Sequence, residues 1–137
     1  MPHHAETFTL STRAHNAVVD VTGEVTGVVR RSNVTDGQVC VFTPHATAAV
    51  TVNENDDPNI GADFLRALSK MVPEHDGWLH DRIDNNAAAH IKSALVGPSV
   101  TIPLVKGALV LGRWQNVFFC EFDGPRSHRE VVVSIAY

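Results

Sequence analysis

From Ser99 to the C-terminus the chain reads as strand after strand, and no other stretch constrains the fold as much. SVTIPL, ALVLG, WQNVFFCEF and EVVVSIAY are rich in β-branched and aromatic residues. Turn signals at Lys106-Gly107 and Asp123-Gly124-Pro125 separate them. Such a run has to build sheet, and its order predicts a meander. The N-terminal part adds more strands. Phe8 and Leu10 alternate with Thr7, Thr9 and Ser11, Ala17 to Val21 reads as a second strand, and QVCVFT and AAVTVNE flank Pro44-His45.

Helices fall between these strands. After Thr22-Gly23-Glu24, Val25, Val28 and Val29 lie at helical spacing, and Arg30-Arg31 occupy the last turn, where cations favour a helix C-terminus. Ile60, Phe64, Leu65, Leu68, Met71 and Val72 form a clean stripe, with Pro58 in the first turn and Pro73 as the stop. A polar loop from Glu74 to Asn85 follows. Asn85 or Asn86 then caps a third helix, AAAHIKSAL, closed by Gly97-Pro98. Strands at both ends with two to three helices between them predict a single α+β domain over 1–137, with a mixed or antiparallel β-sandwich-like core.

Length and charge narrow the partners. The chain has 137 residues, 44% of them hydrophobic, which suits one globular domain and excludes intrinsic disorder. Eleven Lys plus Arg against fifteen Asp plus Glu leave a formal charge of −4, so no broad basic field exists for nucleic acid. The longest uncharged stretch, Ser93 to Val105, falls short of a membrane helix and contains two prolines. MPHHAETFTL lacks the charged-then-apolar run of a signal peptide, and a cytoplasmic location is expected. Cys40 and Cys120 each sit inside an apolar run without a CxxC pair, which points to two buried reduced thiols.

Eight histidines are many for this length. His3 and His4 at the terminus and His15 in a polar turn read as bystanders, whereas His45, His75, His80, His90 and His128 lie beside apolar elements or in the long loop. Neutral imidazole is a common metal ligand, but their spacing has no HExxH-type local geometry, so metal binding and structural roles both stay open. Asn53-Glu54-Asn55-Asp56-Asp57 reads either as a capping, solvated loop or as the source of a base, Glu54, brought beside His45 by its neighbouring strand. Trp114 suits either the core or substrate stacking. Arg126 and Arg129, following Glu121 and Asp123, suit either ion pairs or a phosphate clamp. No GxxxxGK[ST], GxGxxG or GxSxG occurs, which argues against a P-loop, a Rossmann site and a serine-hydrolase elbow.

Read as continuous strings, FTPHATAAVTVNEN and DNNAAAHIKSALVGPSVTIPLVKGALVLGRWQNVFFCEFDGPR resemble the YjbQ family, the secondary thiamine-phosphate synthases. The likeness spans most of residues 40 to 129. It implies a small α+β protein that assembles as a homotrimer, with a His and acidic cluster near a subunit interface that looks like a metal site. His45, His80 and His90 match the family's histidines and are the expected ligands. Glu54, Asn86, Gln115 and Glu121 match its polar positions as catalytic candidates, and Arg126 and Arg129 match its basic turn, with Trp114 as a substrate-binding wall. Two departures stand out: Ala46 replaces a usual Thr, and Asn85 a usual Gly.

The implied activity is coupling of hydroxymethylpyrimidine diphosphate to thiazole phosphate with release of pyrophosphate. A divalent metal would assist it: zinc or another transition metal at the histidines, or Mg²⁺ held by Glu54 or Glu121 for the diphosphate. Two other readings stand beside it. One is a zinc-dependent hydrolase or lyase with Glu54 as base on metal-activated water, and the other a non-catalytic trimeric module that binds a small phosphorylated metabolite.

Overall fold

The strand Gln115–Glu121 is buried without interruption from Val117 onward, so it needs cover on both of its faces. The computed structural model, which describes residues 2–137, supplies that cover with a second sheet on one side and helices on the other. In chain order the elements are β1 (His3–Thr12), β2 (Ala17–Asp20), α1 (Thr22–Ser32), β3 (Gly37–Phe42), β4 (Ala48–Glu54), α2 (Pro58–Met71), a 3₁₀ turn (Leu79–Arg82), α3 (Ala87–Val96), β5 (Ser99–Val105), β6 (Ala108–Leu109), β7 (Gln115–Glu121) and β8 (Arg126–Ala136). All strand pairs are antiparallel. They make a five-stranded sheet, β1-β8-β3-β5-β6, and a three-stranded sheet, β2-β7-β4. The α+β expectation holds.

Period-two alternation sorts the side chains into layers. Val117 and Phe119 of β7 join Val50 of β4, Val39 and Val41 of β3, and Val131, Val133 and Ile135 of β8 in one apolar cluster, together with Val25, Val28 and Val29 of α1. The opposite face of the small sheet offers Ala49 and Cys120, which pack with Phe122, with Leu68 of α2 and with Ala89 of α3. The order is therefore large sheet, small sheet, then α2 and α3, while α1 packs into the cluster that the two sheets share. No helix among the described residues is long and apolar enough to cross a membrane.

The helices keep the bounds their sequence signals imply. Asp57 caps α2 by accepting the Asn59 N–H at 2.9 Å, with Pro58 first in the helix. α3 starts at Ala87, but the side chain of Asn86 makes no capping bond. Asp81 reaches over from the 3₁₀ turn and accepts the Ala87 N–H at 2.9 Å instead.

Four expectations need correction. The C-terminal half is not a meander: β5 and β6 form a hairpin in the large sheet, β7 crosses to the small one, and β8 returns between β1 and β3. Only Ala108 and Leu109 of ALVLG are strand. His3 and His4 are not a loose end, since they pair with Ala136 and Ile135 and His4 bonds Glu6 at 2.7 Å. His15 is no bystander, because its ring contacts the Gly124 carbonyl and the Glu74 carboxylate, tying three loops together. Both cysteines are free; Cys120 is buried as expected, but Cys40 is only half-buried.

Candidate functional site

One end of the small sheet gathers most of the chemistry. Ala17, Glu121 and Ala48 lie abreast there across β2, β7 and β4. The loop from β3 to β4 brings His45 to this end, and α3, packed on β4, brings His90. His45, Ala46, Ala48, His90, Ser93, Ala94 and Pro98 line an open groove of about 310 Å³. The ring of His80 meets that of His90 edge to face at a centroid distance of 4.8 Å. Asn86 precedes His90 by one helical turn and so shares its face of α3. It donates to Asp123 Oδ2 at 2.9 Å, and Arg126 donates to the same oxygen at 2.9 Å and to the Asp123 carbonyl at 2.9 Å.

His45 is fixed by the main chain. Its Nε2 accepts the N–H of Glu130 at 2.9 Å. Burial, with the nearby guanidiniums of Arg129 and Arg126, holds the imidazole below its ordinary value and outweighs Glu130 and Glu121. The ring is thus neutral at pH 7, and with Nε2 accepting, the proton resides on Nδ1.

Beneath the groove lies a buried ion pair. Glu121 is 0% and Arg129 3% exposed. The Glu121 carboxylate accepts from Arg129 Nε at 2.9 Å, from Arg129 Nη2, from Thr12 Oγ1 at 2.7 Å and from the Asp123 N–H at 3.0 Å. Arg129 also donates to Thr47 Oγ1 at 3.0 Å. Burial alone would raise the carboxyl of Glu121, but the hydrogen bonds from Arg129, Thr12 and Asp123, with the charge of Arg129, hold it below its ordinary value. The Glu121 carboxylate is saturated by protein and has no free oxygen to offer Mg²⁺, and Arg129 spends Nε and Nη2 on Glu121 and Thr47, so within one chain these donors clamp the carboxylate rather than a phosphate. Arg126 is different: its side chain is 48% exposed, and only Nε and Nη2 are engaged.

Three expected residues lie elsewhere. Glu54 pairs with Gln115 at the far end of β4, six positions beyond Ala48, which is roughly 20 Å at about 3.3 Å per residue. The strand that was to bring Glu54 beside His45 instead carries it away, to a small cavity lined with Ile60 and Phe64 of α2. Gln115 turns its amide oxygen to the Gly112 N–H at 2.7 Å. Trp114, 47% exposed, stacks under the Arg113 guanidinium at 4.7 Å and lines an open groove with Asn55, Asp56 and Asn116.

The histidines of this chain do not by themselves fit a metal ion. Among the described residues no three His, Cys, Asp or Glu side chains are grouped to hold one. The lone pair on His45 Nε2 is already committed to Glu130, and His80 stands edge-on to His90. His75 and His128 stay outside, with side chains 59% and 65% exposed.

Two groups escaped the sequence reading. Ser93 is 7% exposed, and its Oγ has no hydrogen-bond partner among the described residues. Lys92, 1% exposed, reaches Asn16 Oδ1 at 3.3 Å and Ser69 Oγ at 3.5 Å, with burial pushing its amine down against the pull of Glu74. Asn85, by contrast, explains a departure: its φ is 57°, a left-handed conformation that glycine adopts freely and asparagine tolerates.

The comparisons with known proteins agree with this architecture. The family model described as UPF0047 protein YjbQ-like matches residues 6–137. A UPF0047 protein of Archaeoglobus fulgidus is 42% identical over 128 residues, 93% of this chain and 98% of that protein. The UPF0047 protein YugU of Bacillus subtilis is 39% identical over 125 residues, 89% of this chain and 92% of its own. Among solved structures, a YbjQ-like protein of unknown function from Sulfolobus solfataricus superposes with a TM-score of 0.95 at 34% identity, covering 98% of this chain and 96% of that one. An uncharacterised protein of the YjbQ/UPF0047 family from Clostridium acetobutylicum gives a TM-score of 0.92 at 41% identity, covering 96% of this chain and 99% of that one. With the family model spanning nearly the whole chain and relatives above 30% identity along most of their own length, the protein belongs to the YjbQ/UPF0047 family.

Proposed function

We propose that this protein is a transferase for small phosphorylated substrates, and that the reaction it serves is the one its sequence resemblance implies: coupling of hydroxymethylpyrimidine diphosphate to thiazole phosphate. One observation carries the reading. The Arg126–Asp123–Asn86 chain of hydrogen bonds runs onto the face of α3 that presents His90 to the groove, joining an accessible cation to a pocket of about 310 Å³, the lower end of the range for small-molecule sites. The bond from the pyrimidine methylene carbon to the diphosphate oxygen breaks, and pyrophosphate leaves with the electron pair. The thiazole nitrogen lone pair forms the new C–N bond. Arg126, oriented by Asp123, keeps Nη1 for the departing diphosphate, and fixed donors aimed at developing charge are the strongest aid such a site gives. The apolar walls of Ala46, Ala48, Ala94 and Pro98 give the rings a surface to pack on.

A homotrimer is part of the proposal. Leu79 and Ile83, 74% and 77% exposed, flank His80, and apolar side chains this bare beside a site suit contact with another copy. The test is product formation. Wild-type protein incubated with both substrates, with and without divalent cations, is expected to form thiamine phosphate, read as fluorescent thiochrome. Arg126→Ala is expected to lower turnover by about 100-fold, the scale of losing one preorganised donor, with its melting temperature retained. Absence of product from the wild type under every condition overturns the reading.

A further inference from the structure

We infer that the groove between the His45 loop and α3 binds a phosphoryl oxygen through two hydrogen-bond donors, His45 Nδ1–H and Ser93 Oγ–H, and that His45 serves there as a fixed donor instead of a metal ligand. This deepens the transferase reading and rests on it for the kind of substrate.

The tautomer of His45 follows from its surroundings. A main-chain N–H can only donate, so the Glu130 N–H, 2.9 Å from Nε2, requires a lone pair on that nitrogen. In a neutral ring the proton then sits on Nδ1, which has no protein partner among the described residues, on a residue that lines the groove. The groups facing this ring reinforce the neutral state: Arg129 and Arg126 oppose protonation, Glu130 and Glu121 favour it, and burial tips the balance. A metal at Nδ1 would have to displace that proton, and a metal at Nε2 would have to displace the Glu130 N–H.

Ser93 supplies the independent observation. It is more than nine-tenths buried, lines the same groove, and its Oγ is one of three sealed side-chain polar atoms without a partner among the described residues. Buried hydroxyls are nearly always satisfied, so an orphan on a pocket wall marks where a ligand atom belongs. Apart from His90, the other walls, Ala46, Ala48, Ala94 and Pro98, cannot hydrogen-bond through their side chains. Two donors in an apolar groove select an acceptor, and the accessible Arg126 beyond Asn86 makes it an anionic one. The other two orphans among the described residues, Asp81 Oδ2 and Asn86 Oδ1, lie just before α3 and outside the groove lining.

The test uses the full chain labelled with ¹⁵N-histidine, with pyrophosphate as the probe. Long-range ¹H–¹⁵N spectra are expected to show His45 protonated at Nδ1 and bare at Nε2, unchanged by one equivalent of Zn²⁺. Ser93→Ala is expected to weaken pyrophosphate binding about 10-fold or more, the worth of a hydrogen bond to a charged group. Its stability should stay at or above that of the wild type, since no protein bond is lost. A Zn²⁺-induced loss of the Nδ1 proton, an unfolding midpoint lowered in Ser93→Ala, or pyrophosphate affinity untouched by that change each overturns the inference. Binding is read apart from turnover: Ser93-dependent binding without thiamine phosphate formation sinks the transferase reading alone, and turnover with Ser93-independent binding sinks this one.

Discussion

Replacing Arg129 with methionine should be among the costliest single changes in this protein, and the structure indicates by how much. Four hydrogen bonds converge on the Glu121 carboxylate, and Arg129 provides two of them. Methionine keeps the volume but leaves a buried charge held only by Thr12 and the Asp123 N–H. Breaking a buried ion pair from one side costs about 3–5 kcal/mol, a large part of the roughly 5–15 kcal/mol that holds a domain together. At about 2 kcal/mol per molar urea, the midpoint should fall by roughly 2 M. Arg129→Met with Glu121→Gln removes the charge, and the single amide oxygen of the glutamine can still accept the Asp123 N–H while its NH2 donates to Thr12 Oγ1. The double variant should recover at least half of the loss, leaving a coupling energy that a double-mutant cycle reads directly. Acid gives the same answer from another side. With its pKa held below 4.5 in the fold, wild-type Glu121 contributes stability that is complete above that value and is lost as pH falls through the folded pKa. In Arg129→Met this acid-side loss should disappear, because the orphaned carboxyl now gains from a proton. A loss under about 1 kcal/mol in urea, or an additive double variant, refutes the reasoning.

Other changes test narrower points. Asn85→Gly relieves a left-handed φ of 57° and should leave stability unchanged or raise it by up to about 1 kcal/mol, whereas Asn85→Ala should cost about 1 kcal/mol in thermal or urea melts. Cys120, sealed in the core with burial pushing its thiol up to about 12, should resist thiol reagents in the native protein and react only on unfolding, which a timed dithionitrobenzoate assay resolves by residue after digestion. Phe119→Ala, at 0% exposure between the sheets, should cost about 3–5 kcal/mol.

Much of this was legible in the chain, and the failures have identifiable causes. α2 was readable because its stripe, its Asp57-Pro58 start and its Pro73 stop agree, so local and tertiary preferences coincide. β7 was readable as a strand, but nothing local states which of two sheets a strand joins, and that choice turned the expected meander into a crossing between layers. The burial of Arg129 did carry a signal: it falls in phase with Val131, Val133 and Ile135 along β8, just as Glu121 falls in phase with Val117 and Phe119 along β7. Two opposite charges at core phase on neighbouring elements foretell an internal pair. Glu54 was misplaced because a motif string records proximity in sequence, while a strand of seven residues separates its ends by roughly 20 Å. Ser93 left no mark, since a small polar residue in a helix becomes informative only when its hydroxyl is seen to lack a partner.

The central claim is that the groove holding His45, His90 and Ser93 is where the phosphorylated ligand binds. Titrating ¹⁵N-histidine-labelled protein with thiazole phosphate and pyrophosphate tests it most directly. The account predicts saturable shifts at His45 and His90, with His3 and His128 unmoved. Shifts absent from His45 and His90 at millimolar ligand, or confined to histidines outside the groove, would contradict it.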